Sequence, residues 1–176
     1  MKKAIIFSVM LVLALGLFSC NGKKSKGLSI TEETTSQKAP EKDLDYVDLG
    51  LPSGTLWKNA NEGGDDALYT YDEAVSKFGD KLPTKEQLEE LKNKCTWTWT
   101  GNGYKVTGPN GESITLPAAG SRNSYGGVYE VGGHYWSATE SDSVIAYFLR
   151  CDSDGANFPC NDRHRGLSVR LVKDLQ

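Results

Sequence analysis

Thr84-Lys85-Glu86-Gln87-Leu88-Glu89-Glu90-Leu91-Lys92-Asn93-Lys94-Cys95, followed closely by Tyr104-Lys105-Val106-Thr107-Gly108-Pro109-Asn110-Gly111-Glu112-Ser113-Ile114-Thr115-Leu116, decides the fold class. The first stretch reads as a helix. Thr84 can cap it, and Gln87 stands three residues on, the spacing of a capping box. Leu88, Leu91 and Cys95 fall on one face, with Glu86, Glu89, Glu90 and Lys92 on the others. The second stretch reads as a β-hairpin whose turn is Pro109-Asn110-Gly111.

The same reading extends outward in both directions. Tyr46-Val47-Asp48-Leu49-Gly50-Leu51-Pro52-Ser53-Gly54-Thr55-Leu56-Trp57 predicts a strand, a Pro-Ser-Gly turn and a second strand. Asp72 to Phe78 predicts a short amphipathic helix with Ala74, Val75 and Phe78 inward and Gly79 as its stop. Gly126-Gly127, Tyr129, Gly132-Gly133 and Tyr135-Trp136-Ser137 form a glycine-spaced aromatic stretch. Strands are expected at Ala146 to Cys151, Gly155 to Phe158 and Leu167 to Val172. Two helices early, strands late and no regular alternation imply an α+β domain over residues 45–176 rather than a parallel sheet.

Composition sets the outer bounds. A chain of 176 residues holds one domain plus appendages. A formal net charge of −3 leaves no basic footprint for nucleic acid. With 38% hydrophobic and 10% aromatic residues, the chain is too apolar to stay disordered.

Residues 1–19 read as an address. Met1-Lys2-Lys3 is a positive n-region and Ala4 to Phe18 an apolar core, with Leu17-Phe18-Ser19-Cys20 at the cut. The cysteine makes this segment resemble a bacterial lipoprotein signal. That resemblance implies a lipidated Cys20, a membrane anchor through its acyl chains, and an outer-membrane location in a Gram-negative cell. Residues 20–44 are polar and nearly free of aromatics, the composition of a flexible tether. Surface-exported lipoproteins usually carry acids just after the lipidated cysteine, where this chain has Lys23 and Lys24. The cell surface and the periplasmic face both stay open. Cleavage removes Lys2 and Lys3 and leaves 18 basic against 23 acidic residues, a net of −5.

The motifs of common catalytic chemistry are missing. There is no Cys-x-x-Cys, no His-Glu-x-x-His and no Gly-x-Ser-x-Gly. Of the two histidines, His134 beside Gly133 and Tyr135 reads as packed or in a turn. Asp142, Asp152, Asp154 and Asp162 read as a solvated loop rather than an ion site. No metal and no cofactor is expected. Besides Cys20, three thiols remain: Cys95, Cys151 and Cys160. Cys151 and Cys160 can bridge if their Cα atoms lie within about 7 Å. Strand alternation places Leu149 and Cys151 on one face and Phe148 and Arg150 on the other, with Cys160 in a loop. That placement argues against the bridge.

Several of these motifs recur together in a known family. Tyr46 to Trp57, Leu82-Pro83-Thr84 with its helix, Cys95-Thr96-Trp97-Thr98-Trp99, Leu116-Pro117-Ala118-Ala119-Gly120 and Tyr135-Trp136-Ser137-Ala138-Thr139-Glu140 lead the series. Ala146-Tyr147-Phe148-Leu149, Ser153-Asp154-Gly155, Arg163 and Gly166-Leu167-Ser168-Val169-Arg170-Leu171-Val172 complete it. In this order they resemble the Fibrobacter succinogenes major paralogous domain of Bacteroidetes lipoproteins. The resemblance covers about residues 45–173, with a shorter stretch after Trp57 than is usual. It implies a C-type-lectin-like fold in its formylglycine-generating-enzyme-like branch: two short helices, a twisted and mostly antiparallel sheet, and long loops.

That family includes target proteins of diversity-generating retroelements. There, randomised asparagine codons never yield Lys, Glu, Gln, Met or Trp. By composition, a window of 25 residues here should hold about five of these types, yet Ser141 to Arg165 holds none. The resemblance therefore implies a variable ligand-binding patch. Its candidates are Asp142, Ser143, Val144 and Ile145 at one turn, then Phe148, Arg150 and Asp152 on the outward strand face. Asn157, Phe158, Pro159, Cys160, Asn161 and Asp162 follow, and His164 and Arg165 close the set. Leu149, Leu167 and Val169 should point inward. The expected function is a non-enzymatic binding module for a protein or glycan, with no nucleic-acid partner. Calcium-dependent sugar binding is not implied, because the family triplets for it are absent. A formylglycine-generating-enzyme-like oxidase and a structural adhesin or envelope subunit are the alternatives.

Overall fold

Two capped helices and twelve short strands build the part of the chain that the computed structural model describes, residues 45–129 and 131–174. The expected signal, Cys20 and the tether to residue 44 lie outside the described residues. The chain starts with β1 (Tyr46–Asp48) and β2 (Thr55–Lys58), then α1 (Tyr71–Phe78), one 3₁₀ turn (Gly79–Lys81) and α2 (Lys85–Lys94). Next come β3 (Thr96–Trp99), β4 (Gly103–Thr107), β5 (Ser113–Pro117), β6 (Ser121–Arg122) and β7 (Val128–Tyr129). The longest strands, β8 (Gly133–Glu140) and β9 (Ile145–Asp152), precede β10 (Gly155–Asn157), β11 (Cys160–Asp162) and β12 (Val172–Asp174). Every ladder between these strands is antiparallel, so the architecture is α+β. No helix among the described residues is long and apolar enough to cross a membrane.

Both helices start where a hydroxyl can cap them. In α2 the Thr84 side chain accepts from the Gln87 N–H while Gln87 accepts from the Thr84 N–H. Such a reciprocal pair satisfies two N–H groups that a helix start otherwise leaves open. Leu88 and Leu91 are buried, and Cys95 is the half-buried C-cap. Thr70 and Glu73 build the same box in α1, which begins one residue earlier than the sequence suggests. This start sets the buried stripe at Tyr71 and Ala74, with Phe78 half-buried beside it. Val75, expected inward, lies about 100° round from Ala74 and is 39% exposed.

The strands form a scaffold around β9. The Pro-Asn-Gly hairpin joins β4 to β5, with Tyr104 opposite Leu116 and Val106 opposite Ile114. β3 adds an edge on which Trp97 and Trp99 sit edge-on to Tyr104, at 5.3 and 5.1 Å. β12 pairs with β2, so the two ends of the domain meet in one small sheet. β8 pairs with both halves of β9, and β10 and β11 share the opposite edge end to end.

β9 is buried on both faces. Leu149 and Cys151 join Tyr135, Trp57, Leu88, Leu91 and Leu116 in one core cluster. Ala146 and Phe148 join Trp136, Tyr71, Leu167 and Val169 in a second. Phe148, expected on the outward face, is therefore only 3% exposed. The expectation assumed one wet sheet face, whereas a central strand between two clusters has none. The expected strand at Leu167 to Val172 also differs. Only Val172 enters β12, while Leu167 and Ser168 make isolated bridges to Tyr69 and Tyr135. That segment is buried from Gly166 to Val172, threaded between β8 and the 58–69 loop.

Candidate functional site

A cleft of about 360 Å³ opens where β8 and β9 meet the β6–β7 hairpin. Strand pairing builds its floor. His134 and Arg150 stand directly opposite each other on β8 and β9, next to the Trp136 and Phe148 pair. The His134 ring lies 5.8 Å from that of Phe148. Pro159, Cys160 and Asn161 form one wall, and Ser121, Tyr129 and Val131 the other. Arg165 reaches across from the turn before Gly166, and its Nη2 donates to Ser121 Oγ at 3.3 Å. Its guanidinium lies 5.8 Å from the centre of the Tyr129 ring.

The wall is cationic. Two arginines and a histidine line it, and none of the described lining residues is Asp or Glu. Arg150 Nη2 lies 2.8 Å from Asp152 Oδ2, which holds one side of that fork. The Arg165 Nε is buried without an acceptor among the described residues. His134 is held below its usual value, first by burial and also by the charges of Arg150 and Arg165. Its Nδ1 contacts the Gly120 carbonyl at 3.3 Å and serves as the donor, so Nε2 carries the lone pair in the neutral ring.

Comparison with protein-family models, curated proteins and solved structures found no match.

Six of the sequence candidates line the cleft: Phe148, Arg150, Pro159, Cys160, Asn161 and Arg165. Phe148 does so as a nearly buried floor residue rather than an outward side chain. Asp152 and Asn157 line a smaller depression of about 260 Å³ beyond Arg150. Asp142, Ser143, Val144 and Ile145 sit at the far end of β9, five residues from Arg150, which is about 16 Å along a strand. There Asp142 Oδ1 accepts from the Val144 and Ile145 N–H groups, and these bonds hold its carboxyl below the usual range. Phe158 packs half-buried against the first core cluster, under Lys92. Asp162 Oδ1 accepts from the backbone and ring of exposed His164. Ser121, Tyr129, Val131 and His134 were not candidates. The glycine-spaced stretch contained three of them, but only the β8–β9 register brings His134 to Arg150.

The three described cysteines are free. Cys160 lies on β11 rather than in a loop, opposite Tyr147, while Cys151 pairs with Ala156. Four residues of β9 separate the two positions, about 13 Å, which is beyond the reach of a disulfide. Burial pushes the Cys151 thiol up to about 12 and the Cys95 thiol up to about 11. Cys160 is exposed. Iodoacetamide at pH 8 should therefore modify Cys160 first and Cys95 at least about tenfold more slowly, because the thiolate is the nucleophile. Cys151 should react only in denaturant. Peptide mapping over time checks the order, and early labelling of Cys151 would contradict its burial.

Proposed function

We propose that this chain is a lipid-anchored binding module of the bacterial outer membrane. In this reading it displays a variable, non-catalytic ligand face on a C-type-lectin-like scaffold. One observation carries the reading: six of the ten residues lining the cleft come from the window free of Lys, Glu, Gln, Met and Trp. The strands beneath that window are held by two core clusters. A rigid floor with a changeable rim is what a selected binding surface needs. The buried Cys151 and its distance from Cys160 favour binding over an oxidase built on that pair. The ligand on this reading is a protein or a glycan, and nucleic acid is not a partner.

The test uses the mature lipidated chain on peptide and glycan arrays, beside a variant carrying Arg150→Ser, Asn161→Ser and Arg165→Ser. Loss of a specific partner in the variant supports the reading. Equal binding by both proteins, or no partner for either, argues for a scaffold role. Palmitate labelling that disappears in Cys20→Ala tests the anchor. A template repeat with AAC or AAT codons at the rim positions, beside a reverse-transcriptase gene, tests diversification.

A further inference from the structure

We propose that the cleft is a carboxylate pocket for small organic monoanions with an apolar body. The carboxylate would sit between Arg165 and Arg150, and the body on Phe148, Pro159 and Val131. This inference rests on the reading of the cleft as a binding face and departs from it in the ligand, a small carboxylate in place of a protein or glycan.

Three observations converge on it. The first is the donor inventory of the wall. Arg165 has a buried Nε with no acceptor among the described residues, and its Nη2 has only a long bond to a hydroxyl. A buried donor without an acceptor is costly, and a planar guanidinium fork matches the two oxygens of a carboxylate. Arg150 stands opposite His134 and lines both this cleft and the depression beyond it, with its Nη2 on Asp152.

The second is the charge around the rim. Asp152 shares Arg150, and the Asp162 carboxylate, engaged with His164, lies near Arg165. Asp152 offsets Arg150 and Asp162 is engaged with His164, so Arg165, which has no ion-pair partner among the described residues, is the cation left to meet one negative charge. A phosphate dianion brings a second charge for which the wall has no further cation. Glu140 and Asp72 hold Arg163 rather than the cleft residues.

The third is the character of the remaining wall. Phe148 and Pro159 offer apolar surface inside, and Val131 and Tyr129 stand 72% and 54% exposed on the rim. Large apolar side chains left in water at the mouth of a pocket are a contact surface. A volume of about 360 Å³ is at the small end of ligand sites and admits a body of a few carbon atoms. A sugar ring would set hydroxyl groups against Phe148, Pro159 and Val131.

Calorimetric titration of the mature chain with phenylacetate and hexanoate tests the proposal, with phenylacetamide, hexanamide, glucuronate and inorganic phosphate as comparisons. Both carboxylates should bind at least tenfold more tightly than their amides, glucuronate and phosphate. Arg165→Gln should weaken carboxylate binding at least tenfold and leave the amides unmoved. Arg165→Lys should fall between, and Arg150→Gln should lose less, because Asp152 already occupies part of its fork. Thermal melts of each variant exclude misfolding as the cause. Amides equal to acids, phosphate equal to the carboxylates, or binding unchanged in Arg165→Gln would each overturn the proposal. So would no binding by any probe. The array comparison above judges the binding reading separately: a partner lost in the serine variant keeps that reading even where the carboxylate pocket fails.

Discussion

Replacing Trp136 by alanine should lower the unfolding free energy by about 3–5 kcal/mol, the cost of removing a large buried ring from a packed core. Trp136 has no exposed surface and belongs to the cluster beneath the cleft. Its ring meets Tyr71 edge-on at 5.4 Å and Phe148 edge-on at 6.1 Å. Its Nε1 donates to the Tyr69 carbonyl at 2.7 Å. Alanine would open a cavity among Tyr71, Phe148 and the Leu167 segment and leave that carbonyl with the Leu167 N–H as its remaining donor. Trp136→Phe keeps most of the packing and removes only the donor, so its cost should be nearer about 1–3 kcal/mol. Urea unfolding measures both, with an unchanged slope as the sign that only the native state is affected. A loss under about 1 kcal/mol for alanine would show that the cluster does not pack as described.

The sequence reveals most where a local rule is enough. Both helices were legible, because Thr84 with Gln87 is a motif complete within four residues. The hairpin of β4 and β5 was legible for the same reason, with Pro109-Asn110-Gly111 marking its turn. The readings fail where long-range pairing decides. β8 buries Tyr135, Trp136 and Ser137 in succession, so no alternation marks it as a strand. Phe148 looked outward because β10 and β11 were not known to complete a sheet covered on both sides. β11 has only three residues and exists through its pairing with Tyr147, Ala146 and Ile145. The cleft was half legible. Its β9 and β11 side fell inside the window with a biased composition, whereas its β6–β8 side carries no such bias and becomes visible only once His134 is placed beside Arg150.

Arg170 is the least legible residue of the core, and its replacement is the second large effect expected. It looked like one position in an apolar strand, yet it is 1% exposed and serves as a polar hub. Nε and Nη2 donate to Asn61 Oδ1 at 3.1 and 2.6 Å. Nη1 donates to the Lys58 carbonyl at 2.9 Å and Nη2 to the Thr115 carbonyl at 2.8 Å. One side chain therefore ties the end of β2, the loop after it and β5 to the buried tail. Burial pulls its guanidinium below the usual value, while nearby Tyr135 and Asp65 act the other way. Arg170→Met fills a similar space but orphans three acceptors, each costing about 1–3 kcal/mol. Relief from burying a charge offsets part of that cost, so a net loss of about 3 kcal/mol is expected. A double-mutant cycle with Asn61→Ala separates the hub from simple packing. If Asn61 acts through Arg170, the double variant should be less destabilised than the sum of the singles by about 1 kcal/mol or more. Strict additivity, or a Met variant as stable as the parent, would mean that the tail is held by Leu167, Val169 and Leu171 alone.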